Sequence, residues 1–339
     1  MERWLNDIWY GDRSSGWWLV PLAWVYGAVT ANRRLWYRQG WLKSGRAGIP
    51  VIVVGNLSVG GSGKTPLVIQ LVTALVRRGL RVGVLSRGHG RRADGIQAVA
   101  EDSRPEDVGD EPLLIRRMTG AAVMVGRDRL AAAQQLARDG AEILLSDDGL
   151  QHYRLQRDLE IAVVDADRNH GNGRLLPAGP LREPTVRLQT VDWRVVVGSD
   201  PDAIARTLGE LSGPAFGAQR ELAAARNLFT PDVTKPLLQF AGQPVHAVAG
   251  LGYPGRFFNM LRAVGLQIVE HSFADHHPYS AEDLAFAADE VVLMTEKDAV
   301  KCGQFAGRNW WAVPLHLVCD ERAFDQLLAQ IIARVARSS

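Results

Sequence analysis

A glycine-rich stretch that ends in a lysine and a threonine has the residue types and spacing that phosphate chemistry needs. It reads NLSVGGSGKT from Asn56 to Thr65. Glycine permits backbone conformations that turn several N–H groups inward around one phosphate group. Lys64 can then neutralise charge on the β- and γ-phosphates of ATP, while the Thr65 hydroxyl binds Mg²⁺. The predicted nucleotide-binding residues are Ser58, Val59, Gly60, Gly61, Ser62, Gly63, Lys64 and Thr65.

The residues on either side of this stretch favour its interpretation as a phosphate loop. Residues 51–55 (VIVVG) form a short apolar, β-branched run that is typical of a buried parallel strand. After Thr65, apolar residues recur at helical spacing until Gly79. Ser58 stands where the usual motif GxxxxGK[ST] has its first glycine. The order of strand, loop and helix still predicts a nucleotide site, and the alternative is a turn with only a structural role.

Acidic residues follow the ends of other predicted strands, where an α/β sheet usually binds its ligands. Asp147 and Asp148 come directly after the apolar run ILLS, at the usual position of the second Mg²⁺-handling motif of phosphate-loop enzymes. Asp165 closes the run IAVVD. Asp110 opens a predicted helix, where an acid commonly serves as a cap or a first-turn residue. The pattern leaves open whether Asp110 has a chemical or a capping role.

The elements that must position these residues alternate between strand and helix. Such alternation predicts an α/β fold with a doubly wound, mostly parallel sheet. The predicted strands are residues 51–55, 81–86, 121–125, 143–146 and 161–165, and the predicted helices between them include residues 111–118 and 127–138. We assign residues 48–235 to this core.

The pattern restarts near residue 236, which predicts a second, smaller α/β domain over residues 236–339. Its glycine-rich loop GLGYPG, residues 250–255, is interpreted as a strand-to-helix connection rather than a second nucleotide site. The predicted strands are residues 244–249, 266–270, 290–295 and 311–318, and the predicted helices are residues 256–264, 281–288 and about 321–335.

Residues 1–47 differ in composition from the rest of the chain. They hold seven of the ten tryptophans, and seven Lys/Arg against three Asp/Glu give them a charge of +4. The uncharged run at residues 17–31 is shorter than the ~20 residues that cross a bilayer. Tryptophan beside arginine favours a membrane surface, so we predict an amphipathic, membrane-associating helix or helix pair. The alternative is a tryptophan-rich helix packed on the protein's own core.

The composition excludes several classes of protein. The whole chain has a net charge of +2, so the residues after the N-terminal segment are slightly acidic and no basic nucleic-acid-binding face is expected. Only two cysteines occur, Cys302 and Cys319, with no CxxC spacing. Neither a disulfide framework nor a zinc site is therefore expected, and a reducing cytoplasmic compartment is the default.

Several distinctive motifs occur in order along the chain. They are GNLSVGGSGKTP (55–66), SRGHGR (86–91), VGDEP (108–112), SDDGLQH (146–152), LPAGPLRE (176–183), FADHH (273–277) and TEKDAVK (295–301). This series of motifs resembles one family, the tetraacyldisaccharide 4′-kinases of lipid A biosynthesis. It departs from the family pattern at His89, where tyrosine is expected, and at Ala274, where proline is expected.

The resemblance implies an ATP-dependent lipid kinase that works as a peripheral protein at the cytoplasmic face of the bacterial inner membrane. Its acceptor would be the 4′-hydroxyl of a tetraacylated glucosamine disaccharide 1-phosphate, and no protein or nucleic-acid partner is implied. In the family, the acid at Asp110 is the catalytic base and the histidine at His276 assists it. The resemblance also implies that Glu111, Asp147 and Asp148 join Thr65 around Mg²⁺.

Two other interpretations of the same motifs compete with this one. A phosphate-loop ATPase that switches between partners would hydrolyse ATP with a positioned water. A soluble small-metabolite kinase would pack its tryptophan-rich segment on its own core. Neither predicts transfer of phosphate to a lipid.

Overall fold

A computed structural model of the chain describes residues 2–11, 16–287 and 290–337, and two β-sheets organise them. The strands are β1 (Val51–Gly55), β2 (Val82–Ser86), β3 (Gln97–Val99), β4 (Ala122–Val125), β5 (Ile143–Asp147), β6 (Leu159–Asp165), β7 (Trp193–Gly198), β8 (Ala215–Leu222), β9 (Ala225–Asn227), β10 (Thr234–Lys235), β11 (Val245–Ala249), β12 (Ile268–Ser272), β13 (Val292–Thr295), β14 (Trp310–Val313) and β15 (Leu315–Cys319). The α-helices are α1 (Glu2–Tyr10), α2 (Val20–Arg38), α3 (Lys64–Arg77), α4 (Pro105–Val108), α5 (Asp110–Thr119), α6 (Arg129–Arg138), α7 (Pro201–Gly209), α8 (Gly255–Ala263), α9 (Glu296–Cys302) and α10 (Glu321–Ala336).

The larger sheet has the strand order β15-β8-β7-β6-β1-β5-β2-β4-β3 among the described residues. Its pairs are parallel except at the two edges, where β3 and β15 pair antiparallel with their neighbours. β1 lies near the centre, between β5 and β6, and all five of its residues are buried. The predicted doubly wound, mostly parallel α/β sheet is therefore confirmed.

Helices cover both faces of this sheet. Alternate residues of β1 point to opposite faces, so Ile52 joins one core cluster and Val53 joins the other. The first cluster includes Leu71 of α3 and Leu328 of α10, and the second includes Leu136 of α6. Burying each such leucine stabilises the fold by about 1.5–3 kcal/mol. The phosphate-loop segment is thus fixed between a fully buried strand and a helix with a buried face.

The smaller sheet has the order β10-β9-β14-β13-β11-β12 in the described part of the chain. The four neighbouring strands β14, β13, β11 and β12 are parallel to one another. Helix α8 packs on this sheet through Phe257 and Phe258. The sheet boundaries differ from the predicted domain boundaries at both ends. β9 and β10 precede residue 236 and belong to the smaller sheet, whereas β15 and α10 return to the larger one.

The predicted strands of the two halves recur within about two residues, but residues 311–318 do not form one strand. They are divided between β14 in the smaller sheet and β15 in the larger sheet. Pro314 separates the two strands, and proline has no N–H to donate to a ladder. The predicted helix at residues 281–288 is a 3₁₀ helix, Glu282–Ala287, and Ala288 lies outside the described residues.

The N-terminal helices attach to the larger sheet's unit through a small apolar cluster. Ile8, Leu19 and Ala23 are buried against Ala178, and the indole N–H of Trp9 donates to the carbonyl of Pro177 at 2.9 Å. The other six tryptophans of this segment are exposed: Trp4, Trp17, Trp18, Trp24, Trp36 and Trp41. Among the residues that the structure describes, no helix has the length and hydropathy to cross a membrane.

Candidate active site

The predicted phosphate loop lies between β1 and α3, and Lys64 is the first residue of that helix. Gly60 and Gly63 have φ angles of 108° and 92°, a region that favours glycine. These two glycines therefore supply the left-handed backbone conformations of the loop directly before the N-terminus of α3. Such a terminus presents N–H groups and a positive dipole to an anion.

Lys64 is held by groups of its own chain. Its ammonium donates to Asn56 Oδ1 at 3.1 Å and lies 3.6 Å from Asp148 Oδ1. Asn56 is fully buried, and its amide donates to Ser62 Oγ at 2.9 Å. Asn56 thus links the end of β1 to the glycine-rich loop and holds the lysine at the loop's open side.

Asp147 and Asp148 are consecutive but have opposite environments. Asp148 has a φ of 49°, a left-handed conformation that aspartate tolerates better than most residues. Its carboxylate accepts two hydrogen bonds from Arg182 at 2.9 and 2.8 Å. Burial raises the pKa of Asp148, but Lys64, Arg182 and Arg129 outweigh burial and hold the pKa well below its usual range.

Asp147 is buried, and its Oδ1 has no hydrogen-bond partner among the described residues. Burial raises the pKa of Asp147 to about 7, and the nearby charges of Glu111 and Asp148 act in the same direction. Lys64 and Arg129 oppose this rise without cancelling it, so an added cation at the unpartnered oxygen would favour the ionised form of Asp147.

Mg²⁺ fits this position on the chemistry of the donors. In the described part of the chain no three His, Cys, Asp or Glu side chains form a ready metal cage. Mg²⁺ usually binds proteins through one or two carboxylates, and takes its other ligands from phosphates and water. The unpartnered oxygen of Asp147 near Glu111 meets that requirement. Asp148, by contrast, is already bound by Arg182.

Asp110 and His276 are in contact, although 166 positions separate them. Asp110 begins α5 after Gly109, and its side chain is 5% exposed. The Nδ1 atom of His276 lies 3.0 Å from both carboxylate oxygens. Since a carboxylate can only accept, Nδ1 carries the proton. Asp110 Oδ1 also accepts from the Glu111 N–H at 2.9 Å, so a contact within the first turn of α5 and the histidine contact coexist.

The electrostatics of the pair keep Asp110 ionised. Burial raises the pKa of Asp110, but the hydrogen bond from His276 and the charges of Lys297, His276 and Lys301 together lower it below the ordinary value. The hydrogen bond to Asp110 raises the pKa of His276, while burial and Lys297 oppose that rise.

Two lysines of α9 belong to the site, and our sequence-based set of site residues omitted both. Lys297 lies 3.3 Å from Glu111, 3.1 Å from Asp275 and 3.3 Å from His276 Nε2. Lys301 lies 3.9 Å from Asp110. Their spacing of four residues in TEKDAVK places both on one face of a helix, which is the signal that could have identified them. Glu111, Asp110, Asp147, Asp148, Lys64, His276 and Lys297 form what we call the charged cluster.

A basic cavity of about 470 Å³ adjoins the cluster. The ring of His89, which lines it, lies 5.0 Å from the ring of His276. The cavity is lined by the loop after β2 and by one residue before α6, namely Arg87, Gly88, His89, Gly90, Arg91, Arg92, Ala93, Asp94 and Arg127. Four arginines against one aspartate give the cavity the charge that an anionic ligand requires.

Known proteins resemble this chain along nearly all of its length. The sequence profile of LpxK, tetraacyldisaccharide-1-P 4′-kinase, matches residues 15–333. The tetraacyldisaccharide 4′-kinase of Methylobacillus flagellatus is 46% identical over 334 residues, which cover 97% of this chain and 96% of that protein. The enzyme of the same name from Xanthomonas campestris pv. campestris is 49% identical over 345 residues, covering 97% and 98%.

A solved structure is also similar. It is the "apo" form of LpxK from Aquifex aeolicus in complex with ATP, with a TM-score of 0.76 and 32% identity. The match covers 94% of this chain and 98% of that one, so it extends over both sheets. Motif order, fold and full-length similarity lead to one conclusion: this chain belongs to the tetraacyldisaccharide 4′-kinase family.

Proposed function

We propose that this protein transfers the γ-phosphoryl group of ATP to the 4′-hydroxyl of a tetraacyldisaccharide 1-phosphate in lipid A biosynthesis. Membership in the family supports a phosphotransferase with an alcohol acceptor and disfavours both rival interpretations. The observation that carries the proposal is the contact between Asp110 and His276 in the same charged cluster as Lys64. Such a pair suits an enzyme with a hydroxyl acceptor, whereas a simple switch protein does not need one.

Lys64 and the N–H groups of the loop would bind the nucleotide phosphates, with Thr65 at the metal side. When bound at Asp147, Thr65 and Glu111, Mg²⁺ supplies charge neutralisation on the phosphate oxygens. Lys64 would exchange its present contact with Asp148 for the phosphates. Arg182 and Arg129 keep Asp148 neutralised after that exchange, because Arg182 pairs with its carboxylate and Arg129 donates to its carbonyl at 2.8 Å.

Asp110 would receive the proton of the 4′-hydroxyl. In a loose phosphoryl-transfer transition state the proton leaves late, so a carboxylate of low pKa suffices as its acceptor. His276 donates to Asp110 and so would orient the carboxylate, and Lys297 in turn orients His276. Because Asp110 belongs to the larger sheet's unit and His276 to the smaller one, the pair would assemble only when the two units are together.

The basic cavity would bind the anionic end of the acceptor. An acceptor that carries a phosphate at position 1 needs cations at a distance from its reacting hydroxyl, and the arginines of the cavity supply them. The contact between His89 and His276 supports a continuous path from this cavity to Asp110.

The N-terminal segment, residues 1–47, would hold the enzyme peripherally on the cytoplasmic face of the inner membrane. Six exposed tryptophans with neighbouring Arg33 and Arg34 support this placement, because indole rings and cations favour an anionic interface. An acceptor with four acyl chains must be collected from such a surface.

A transfer assay tests the proposal. Purified protein is incubated with Mg-ATP labelled in the γ-phosphate and with detergent-dispersed tetraacyldisaccharide 1-phosphate. The matched control is the same lipid with its 4′-hydroxyl already phosphorylated. We expect label on the first lipid alone. Release of inorganic phosphate with no labelled lipid would support an ATPase instead, and label on a water-soluble sugar would support a small-metabolite kinase.

A further inference from the structure

Arg256 is a residue of the smaller sheet's unit that contacts the phosphate loop. It is the second residue of α8, and its Nη1 donates to the carbonyl oxygen of Gly61 at 2.9 Å. Its Nη2 lies 2.6 Å from Asp165 Oδ2, at the carboxyl end of β6. One guanidinium therefore joins a loop carbonyl and a buried acid, a two-acceptor geometry that suits arginine and that lysine cannot reproduce.

Arg220 makes the matching contact from the larger sheet. Its buried side chain lies 3.2 Å from Asp165 and 2.8 Å from Asp167, and it donates to the carbonyl of Ser62 at 3.3 Å. Burial lowers the pKa of Arg220 to about 10, which still leaves it charged at neutral pH. Two arginines thus hold two consecutive carbonyls of the loop, and Asp165 and Asp167 together balance their two charges.

The direction of these carbonyls fixes the direction of the loop's donors. In a planar trans peptide the C=O and the following N–H point in opposite directions. Holding the Gly61 carbonyl therefore orients the Ser62 N–H, and holding the Ser62 carbonyl orients the Gly63 N–H. Glycine-rich backbone would otherwise have many conformations to lose when a phosphate binds.

We propose that Arg256 is a positioning residue for ATP, which pre-orients the N–H groups of the phosphate loop from the smaller sheet's unit. α8 is anchored in that unit by Phe257 and Phe258, so the loop's geometry depends on where the unit lies. ATP affinity and the position of the smaller unit are then coupled. The inference rests on the proposed nucleotide site at this loop.

Direct ATP binding to the full-length protein tests this role, with Arg256→Ala as the main variant. Asp165 stays paired with Arg220 in it, so no buried charge is left alone. We expect the Kd for ATP to rise about tenfold, because binding must then order the loop's backbone. Arg256→Lys, which keeps the charge, should restore only part of the affinity. The matched control is Arg262→Ala on the same helix, whose side chain pairs with Glu270 and has no contact with the loop.

The outcomes separate a positioning role from a structural one. A lower melting temperature with unchanged ATP affinity in Arg256→Ala would overturn the inference, and so would full restoration by lysine. Lys64→Ala is measured in parallel. If Lys64→Ala loses ATP binding while Arg256→Ala retains it, the inference fails and the nucleotide site stands. If Lys64→Ala binds ATP like the unaltered protein, the nucleotide site itself is wrong and the inference falls with it.

Discussion

Charged side chains are buried or half-buried in the charged cluster, whereas large apolar side chains are exposed in the N-terminal segment. Folded proteins usually do the reverse, since buried charge needs partners and exposed apolar surface gains nothing from water. In the cluster nearly every charge has a partner, with one oxygen of Asp147 as the exception. In the N-terminal segment Trp17, Trp24 and Trp41 are 72%, 73% and 70% exposed. The charged cluster needs only small ligands to complete it. The exposed tryptophans of the N-terminal segment would need a whole partner surface to cover them.

The sharpest test of this contrast is Lys64→Ala, which should lower turnover by about two to three orders of magnitude. The reason is loss of charge neutralisation on the phosphates, whereas the core packing of α3 is untouched. The measurement is the rate of label transfer to the lipid, together with the melting temperature. Thr65→Ala should act in the same direction. Near-normal turnover in either variant would contradict the assignment of the phosphate loop.

Asp110→Ala and His276→Ala should each lower turnover by roughly 100-fold, the lower range for a positioned proton acceptor. Because the two side chains act through one contact, the double variant should cost much less than the product of the two single losses. ATP affinity should stay almost constant. Independent, multiplicative losses would separate the roles, and a main effect on the melting temperature would restore the capping interpretation of Asp110.

In the exposed segment, a triple variant should bind anionic phospholipid vesicles at least about tenfold more weakly than the unaltered protein. This variant combines Trp17→Ala, Trp24→Ala and Trp41→Ala. Transfer to detergent-dispersed acceptor should change little. The matched control replaces Phe229 and Leu238, which are exposed apolar residues outside the segment. High salt should remove less protein from vesicles than it would from a purely electrostatic anchor, since indole burial is not screened. Unchanged vesicle binding in the triple variant would assign the tryptophans another role.

Asp147→Asn should raise the melting temperature of the metal-free protein by a few degrees at pH 8 and by a smaller amount at pH 5. The pKa of Asp147 is raised to about 7 from an ordinary 3.8. Between these values the folded state binds a proton that the unfolded state has lost. Asp147 therefore lowers stability progressively as pH rises from 3.8 to about 7, and asparagine removes that effect. Asp232→Asn, at an exposed position, is the control, and an equal shift at both pH values would argue against this account.

The sequence was sufficient to predict the site where one contiguous stretch determines its own local structure. The run from Val51 to Thr65 combines an apolar strand, glycines and a helix start, and each part is decided by local chemistry. The pairing of Asp110 with His276 was reached through family resemblance, because a separation of 166 positions gives no local signal. Arg256 belongs to no motif that we identified in the sequence, and the motif LPAGPLRE, which contains Arg182, does not indicate the partner of that arginine. Their partners are determined by how β1, β5, β6 and α8 pack, which only the tertiary structure reveals.

Local patterns also failed where one residue divides two environments. Residues 311–318 (WAVPLHLV) are apolar enough to predict one strand, and Pro314 was the sole sign of a boundary. The strands on its two sides belong to different sheets. This crossing carries the chain from the smaller unit back to α10, which packs beside α3. The final helix thus stabilises the helix that follows the phosphate loop, a link that a division at residue 236 does not anticipate.

The contact between Lys64 and Asp148 makes the Asp148 carboxylate compete with entering anions for the Lys64 ammonium. Any anion that enters must displace it from the ammonium. A single sulfate or inorganic phosphate offers little more charge than Asp148 and lacks the attachment of a larger ligand, so we expect both to inhibit only weakly. A triphosphate would contact the lysine and several N–H groups at once, and we therefore expect it to displace Asp148 from Lys64. Selectivity against the abundant simple anions of the cell is in this way a property of the ion pair between Lys64 and Asp148.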